Sequence, residues 1–529
     1  MNTIQRLVVT ALVSIATAIP ALAASCESLR ELKLKDTTIN SAATVAAGEF
    51  SLPGGPASPL FKKLPAFCRV TAEIKPTGDS DIKVEVWLPL TGWNGKYAGQ
   101  GNGGFAGSIN YQGLAAVVAI GYAGASTDTG HSQSEPGATW ALKHQEKIVD
   151  FGYRAIHEMS VKARTVIQTF YGNPPRHSYF AGCSNGGRQA LMEAQRYPDD
   201  YDGIIAGAPA NYWTHLLTAG IWDLQALQKD AASYISAAKI PALNDAVLAA
   251  CDAQDGVKDG IVGNPAACRF DPSAMLCKEA DSNGCLTAAQ VEALKKIYSG
   301  PRNSKGAQIF PGFSPGGESG GQGWAVWMTP SNPEKSLQYF FSVNFFRDMV
   351  FNDPAWDFKT FNFDTDVKIA DEKQSAALNA IDPNLKAFKS RGGRLILYHG
   401  WSDAAIPPLN AIDYFDSVRA AMGARDTEQF ARLYMVPGMQ HCGAGPGADQ
   451  FGQFGLPGYP VDPGHNIFST LDQWVEKGTP PGEIVATKYV NYLDPAQGIK
   501  LTRPLCAYPQ VSKYKGTGDT KDAANFKCE

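Results

Sequence analysis

Gly182-Cys183-Ser184-Asn185-Gly186 fits G-x-S-x-G, a pattern that places a serine on a turn too tight for bulky neighbours. A serine hydroxyl becomes a nucleophile when a base takes its proton and an acid orients that base. Two apolar runs downstream end in suitable residues. The run 395–399 (LILYH) leads into Gly400-Trp401-Ser402-Asp403, and Met435-Val436 leads through Pro437-Gly438-Met439-Gln440 to His441. The chain order is therefore Ser184, Asp403, His441. His399 competes with His441 as base, and Cys183 competes with Ser184 as nucleophile. An exported thiol beside such a serine would oxidise, which argues for Ser184. The implied chemistry is acyl transfer from an ester through an acyl-enzyme. The anion formed on the way needs two backbone N–H donors. Asn185 N–H, directly after the nucleophile, is one. Gly103 or Gly104, in the glycine-rich stretch 99–105, is the other.

These residues need strands and helices to hold them. Residues 82–88 alternate as a half-buried strand does, and 115–121 (AAVVAIG) reads as a continuous, buried strand. Residues 147–171 have helical spacing and stop at Gly172-Asn173-Pro174. A short strand over 178–182, a helix over 186–197 and a strand over 203–207 follow, so Ser184 sits at a strand-to-helix turn. Strand patterns return at 394–399 and 432–436. Alternating strand and helix predicts a mostly parallel sheet, and the order nucleophile, acid, base is that of an α/β-hydrolase. From 212 to 390 the pattern breaks, which predicts a large inserted lid domain. The expected organisation is α/β-hydrolase segments at 24–211 and 391–529, with the lid between them.

Composition narrows the function. The 529 residues carry 47 Lys+Arg against 51 Asp+Glu, a net charge of −4, so binding to nucleic acid has no electrostatic support. Hydrophobic residues make up 44%, ample for a large core. No segment reaches the length and apolarity of a membrane span. Residues 1–23 read as a secretory signal peptide: Arg6, an apolar run over 7–19, and Ala21-Leu22-Ala23 as the cleavage site. The segment Ala23-Ala24-Ser25-Cys26 lacks the leucine of a lipid anchor. A secreted or periplasmic protein is expected, and ten cysteines in an oxidising compartment predict five disulfides. Spacing makes Cys251–Cys268, Cys277–Cys285 and Cys506–Cys528 plausible local pairs. A bridge between Cys183 and Cys442 would tie nucleophile to base.

Asp252, Asp255 and Asp259 crowd into eight residues, a spacing that suits calcium but not an EF-hand, which needs a Glu where Gly263 stands. Lid aromatics (Trp213, Trp222, Trp324, Trp327, Phe340, Phe341) could stack on a planar acyl group.

Cys183-Ser184, Asp403 and His441-Cys442, together with Gly182–Arg188 and 125–131 (ASTDTGH), give a chain that resembles the tannase/feruloyl esterase family, which includes mono(2-hydroxyethyl) terephthalate esterases. The resemblance runs over nearly all the chain beyond residue 23. It implies hydrolysis of esters of hydroxycinnamic or gallic-type acids. It also implies the bridges Cys26–Cys68, Cys183–Cys442, Cys251–Cys268, Cys277–Cys285 and Cys506–Cys528. A structural calcium would be held by Asp252, Asp255 and Asp259 side chains and the Val257 and Ile261 carbonyls. Two alternatives stand beside this reading. One is hydrolysis of terephthalate-type monoesters, with Arg302 and Arg347 as candidates to meet the free carboxylate, although those esterases carry Glu after the nucleophile where this chain has Asn185. The other is an inactive, calcium-stabilised binding module.

Overall fold

The computed structural model describes residues 24–55, 59–455 and 459–529. The expected signal peptide lies outside them. Nine strands form the central sheet: β1 (Thr37–Val45), β2 (Phe67–Ile74), β3 (Ile82–Pro89), β4 (Lys96–Gln100), β5 (Ala123–Thr127), β6 (His177–Cys183), β7 (Gly203–Gly207), β8 (Arg394–Gly400) and β9 (Ala431–Val436). Their order is β1-β2-β3-β5-β4-β6-β7-β8-β9. The pairs from β1 to β5 through β3 are antiparallel. From β5 to β9 every pair is parallel.

Alternate side chains of the parallel strands enter two separate cores. Phe180, Ile204, Leu395 and Leu397 pack with Met159, Ile167 and Leu191 of the helices Ala155–Tyr171 and Asn185–Arg196. Tyr179, Ile205, Ile396 and Tyr398 pack on the opposite face with Val117, Leu471 and Trp474. Burial on both faces explains why these strands read as unbroken apolar runs rather than alternating ones. A mostly parallel sheet covered on both faces, with the G-x-S-x-G turn between a central strand and its helix, is the α/β-hydrolase fold.

One expected strand is a helix. Residues 115–121 fall mostly within the helix Tyr111–Ala119. Asn110 starts it by accepting the Gly113 N–H at 2.9 Å. The helix is apolar on most sides because Leu114 and Val118 pack against Phe67 and Trp87 while Val117 meets the other core. Gly121, at φ +85°, turns the chain into the true strand, β5. That strand, AGAST, has no large side chain, and a Cβ on Gly124 would lie 2.8 Å from Val117 Cγ2. The helix lies so close on β5 that only small residues fit beneath it.

Between β7 and β8 the chain adds no strand to the central sheet among the described residues. It forms helices that include Trp213–Gln228, Ile240–Cys251, Ala288–Ser299, Leu337–Asn344 and Asp366–Leu378. Leu243, Val247, Leu294, Ile297 and Trp324 give this segment a core of its own. Trp213, Phe346 and Leu378 instead share a cluster with Trp140 and Phe151, which joins the segment to the sheet layer. The five disulfides are Cys26–Cys68, Cys183–Cys442, Cys251–Cys268, Cys277–Cys285 and Cys506–Cys528.

Candidate active site

Ser184 has φ +66° and ψ −123°, in a region that side-chain-bearing residues rarely adopt. Backbone bonds hold it there. Its N–H donates to Gly207 O at 2.9 Å, and its carbonyl accepts from the N–H groups of Arg188 and Ala210, both at 3.1 Å. A Cβ on Gly182 would fall 2.6 Å from the Gly186 backbone, and one on Gly187 would fall 2.3 Å from Gly207 O. Gly182 of the motif is thus set by the closeness of β6 and the following helix, and Gly187, just beyond the motif, by that of β7; a Cβ on Gly186 would lie 3.3 Å from Asn102 O.

Asp403 and His441 lie in the loops after β8 and β9. The loops pack directly: a Cβ on Gly400 would lie 2.2 Å from Met439 O, and Ser402 N–H donates to that same carbonyl at 3.0 Å. His441 Nδ1 is 2.8 Å from Asp403 Oδ2. The other carboxylate oxygen, Oδ1, accepts the N–H groups of Ala405 at 2.8 Å and Ile406 at 3.0 Å. His399, the competing base, lies behind this carboxylate. Its Nε2 is 3.1 Å from both Asp403 Oδ2 and the Ile406 carbonyl. A carbonyl can only accept, so Nε2 carries the proton and donates. Burial alone would raise the Asp403 pKa, but the two imidazoles outweigh it and hold the carboxyl well below the usual range.

Ser184 and His441 line one cavity, and His399 does not. The Cys183–Cys442 bridge, with a Cα separation of 6.0 Å, ties their chain neighbours. One peptide step on each side bounds the Ser184–His441 Cα separation at about 14 Å. Replacing both Cys183 and Cys442 with alanine is expected to lower kcat on the order of 100-fold, because a displacement of about 1 Å between reacting groups has that effect. Replacing Cys506 and Cys528 in the same way should lower the melting temperature and leave kcat within a few-fold. Equal kcat losses in the two double variants would remove the clamp from the mechanism.

Gly104 lines the cavity beside Ser184 and Asn185, while Gly103 lines the adjoining grooves. Gly104 has φ +58°, a turn that glycine adopts freely. The stretch carrying them is bound to the rest of the site through groups the motifs did not reveal. Asn102 N–H donates to Gln189 Oε1 at 3.1 Å, and Gln189 Nε2 returns a bond to Asn102 Oδ1 at 2.8 Å. Asn110 Nδ2 donates to Gly101 O at 2.7 Å. The segment 125–131 supports from below: Asp128 accepts the N–H groups of Lys83 and Gly130, and His131 stacks on Trp140.

Arg188 is a further residue missed in sequence. It is fully buried and pairs with no carboxylate among the described residues. It donates to Asn185 Oδ1 and to the carbonyls of Phe151 and Gly152, and lies over the Phe151 and Trp213 rings. Burial pushes its pKa down to about 9. A π-helical turn over Asp150–Arg154 precedes the helix Ala155–Tyr171 and brings those two carbonyls to it.

The cavity opens to solvent and holds about 560 Å³ of empty space, mouth included. Its walls include Trp213, Trp327 and Phe341. Trp327 stands edge-on to His441, with ring centroids 5.3 Å apart. The other aromatics lie elsewhere: Trp324 is core, Trp222 packs on Phe363, and Phe340 is partly exposed against Phe105. Arg302 and Arg347 do not line it either. Arg302 bonds Gly306 O, and Arg347 pairs with Asp348. Both are held locally and away from the cavity, which corrects the candidacy of either for a substrate carboxylate.

The acidic loop places three carboxylates in a partly buried turn, although their ligand oxygens do not all lie within 4.8 Å of one another. Asp252 accepts the N–H groups of Asp259, Gly260 and Ile261. Asp259 Oδ2 pairs with Arg503, while its Oδ1 is buried with no partner. Burial first, then Asp259 and Asp252 alongside, push the Asp255 carboxyl up to about 6. Crowded, desolvated carboxylates with an orphaned oxygen are what calcium neutralises. The Cys251–Cys268 bridge closes the loop. A chelator is therefore expected to lower the melting temperature. Calcium at 100-fold above Kd adds about 2.7 kcal/mol of stability by linkage, and Asp255→Asn should shrink that response. Metal analysis finding no calcium, with a melting curve indifferent to chelator, would reduce the loop to an acidic turn.

Comparison with known proteins places these features in context. Residues 68–529 match the family described as tannase and feruloyl esterase. The chain is 42% identical over 528 aligned positions to an uncharacterized esterase from Xanthomonas campestris pv. campestris, covering 96% of this chain and 91% of that one. It is 33% identical over 575 positions to a mono(2-hydroxyethyl) terephthalate hydrolase from Piscinibacter sakaiensis, covering 96% and 91%. The crystal structure of feruloyl esterase B from Aspergillus oryzae superposes with a TM-score of 0.86 at 29% identity, covering 95% and 99%.

Proposed function

The chain belongs to the tannase and feruloyl esterase family and is a carboxylic ester hydrolase; from that premise we propose that it cleaves esters of hydroxycinnamic or gallic-type acids through an acyl-enzyme on Ser184. The observation that carries this reading is the cavity that Ser184 and His441 line together with Trp213, Trp327 and Phe341. His441 takes the Ser184 proton through Nε2, since Nδ1–H is engaged by Asp403. Ser184 Oγ attacks the ester carbonyl, and the developing oxyanion lies toward the N–H of Asn185 and the Gly103–Gly104 turn. The alcohol leaves with the proton returned by His441. Water, activated by the same imidazole, then releases the acid.

Calcium, when bound, is structural: Asp252, Asp255 and Asp259 with the Val257 and Ile261 carbonyls would hold it, and it would neutralise the loop rather than touch the ester. Five disulfides and the apolar segment within residues 1–23 support a secreted or periplasmic protein. No helix among the described residues is long and apolar enough to cross a membrane.

The terephthalate reading has a named relative in its favour. Against it, no lysine or arginine lines the cavity among the described residues; Lys63, Lys488 and Lys500 line the adjoining groove that Ser184 and His441 share. The test is kcat/KM on methyl ferulate, methyl gallate, chlorogenate and mono(2-hydroxyethyl) terephthalate. The proposal expects one of the first three to lead. A preference for the terephthalate monoester, or hydrolysis of aliphatic esters alone, would overturn it.

A further inference from the structure

Apart from Ser184, Asn185 and His441, the polar side chains lining the cavity are Gln338 and Ser342. The helices Trp213–Gln228 and Leu337–Asn344 meet there so closely that a Cβ on Gly220 would lie 2.0 Å from Ser342 Oγ. Trp213 stands at the opposite end, by the nucleophile turn, where Arg188 lies over its ring. Gly220 is seven residues further along the same helix, about 10 Å by helical rise. Gln338, Ser342 and Gly220 therefore mark the end of the cavity remote from Ser184.

Two groups at this end have no use in the ester chemistry described above. Asp223 is 2% exposed, and no cation pairs with it among the described residues. Its Oδ2 accepts Gln338 Nε2 at 3.0 Å. That bond commits the amide nitrogen and leaves Gln338 Oε1 facing away from Asp223. Gln338 is 6% exposed, and Oε1 is buried without a partner. A buried acceptor with no donor is costly unless something else supplies the donor. Ser342 Oγ, one helical turn on, shares this end of the cavity.

We propose that Gln338 determines acyl specificity: its Oε1, oriented by Asp223, accepts the hydroxyl of a ring-hydroxylated aromatic acyl group whose ester carbonyl lies at Ser184. This rests on the aromatic-ester reading and sharpens it. The walls take the ring, and the far end reads the hydroxyl. An O-methyl ether in the same place brings bulk and no donor. A terephthalate monoester brings a carboxylate, which Gln338 Oε1 cannot bond and for which the Ser342 hydroxyl is the donor offered at this end. Sites that hydrogen-bond a substrate hydroxyl discriminate strongly against analogues lacking it, because their own polar group is then left unpaired.

The test compares kcat/KM for methyl 4-hydroxycinnamate, methyl cinnamate and methyl 4-methoxycinnamate. The wild-type enzyme is expected to favour the hydroxylated ester over each of the others by at least tenfold. In Gln338→Leu that ratio should fall to within about twofold of one, and Asp223→Asn should reduce it by freeing the amide to rotate. A wild-type ratio near one overturns the proposal without any variant, so a poorly folding variant does not shield it. A tenfold ratio that survives Gln338→Leu overturns it as well. Failure of the wild-type enzyme to hydrolyse all three esters is a different result, because it removes the aromatic-ester reading itself.

Discussion

Replacing Ser184 with alanine is expected to lower kcat by four to six orders of magnitude, roughly the cost of deleting the nucleophile in other serine hydrolases. The fold should survive. The Ser184 side chain makes no capping bond to the helix it precedes. The turn rests instead on its own backbone bonds to Gly207, Arg188 and Ala210, which alanine retains. Alanine also has the same Cβ as serine, so the unusual φ is no harder to hold. The melting temperature should stay within a few degrees of wild type. Residual activity above a tenth of wild type, measured on protein free of contaminating esterase, would exclude Ser184 as nucleophile.

Asp403→Asn should reduce kcat by about 10⁴ with little change in KM. Asparagine can still accept the Ala405 and Ile406 N–H groups through its oxygen. Its NH₂ then faces His441 Nδ1, where the carboxylate oxygen had accepted. Two donors cannot meet, so the imidazole must move its proton to Nε2, the nitrogen that has to receive the proton of Ser184. His399 Nε2–H loses one acceptor and keeps the Ile406 carbonyl, so the loop has reason to stay in place. A loss smaller than tenfold would mean that the carboxylate only anchors the loop. His399→Gln should be milder than either change, because it removes one of several donors to Asp403.

The arrangement of the site was legible where one residue type at one spacing has few physical explanations. G-x-S-x-G between a short strand and a helix is such a case, since a larger residue at Gly182 would clash with the Gly186 backbone and one at Gly186 would crowd Asn102 O at 3.3 Å. The strand ends carrying Asp403 and His441 were legible because parallel strands are buried on both faces. The same reasoning failed at residues 115–121. A short apolar run fits a buried helix as well as a buried strand, and the true strand, AGAST, has none of the large residues that mark strands. The roles of Arg188, Gln189, Asn102 and Gln338 were not legible. Each depends on partners 36 to 190 residues away, such as Arg188 with the Gly152 and Leu378 carbonyls. Spacing within the sequence carries no trace of such meetings. His399 was noticed for the right reason, a histidine at a strand end. Its position behind Asp403 depends on how the β8 loop folds back on itself, which only the structure shows.

The most direct test of a serine mechanism at this site is active-site labelling. The protein would be treated with an organophosphate that phosphorylates activated serines, and residual activity would be followed beside intact mass and peptide mapping. One adduct per chain is expected, on the peptide containing Ser184, growing in proportion to the activity lost. The Asp403→Asn variant should label far more slowly under the same conditions. Complete loss of activity with Ser184 unmodified, or full activity with Ser184 fully labelled, would contradict the assignment.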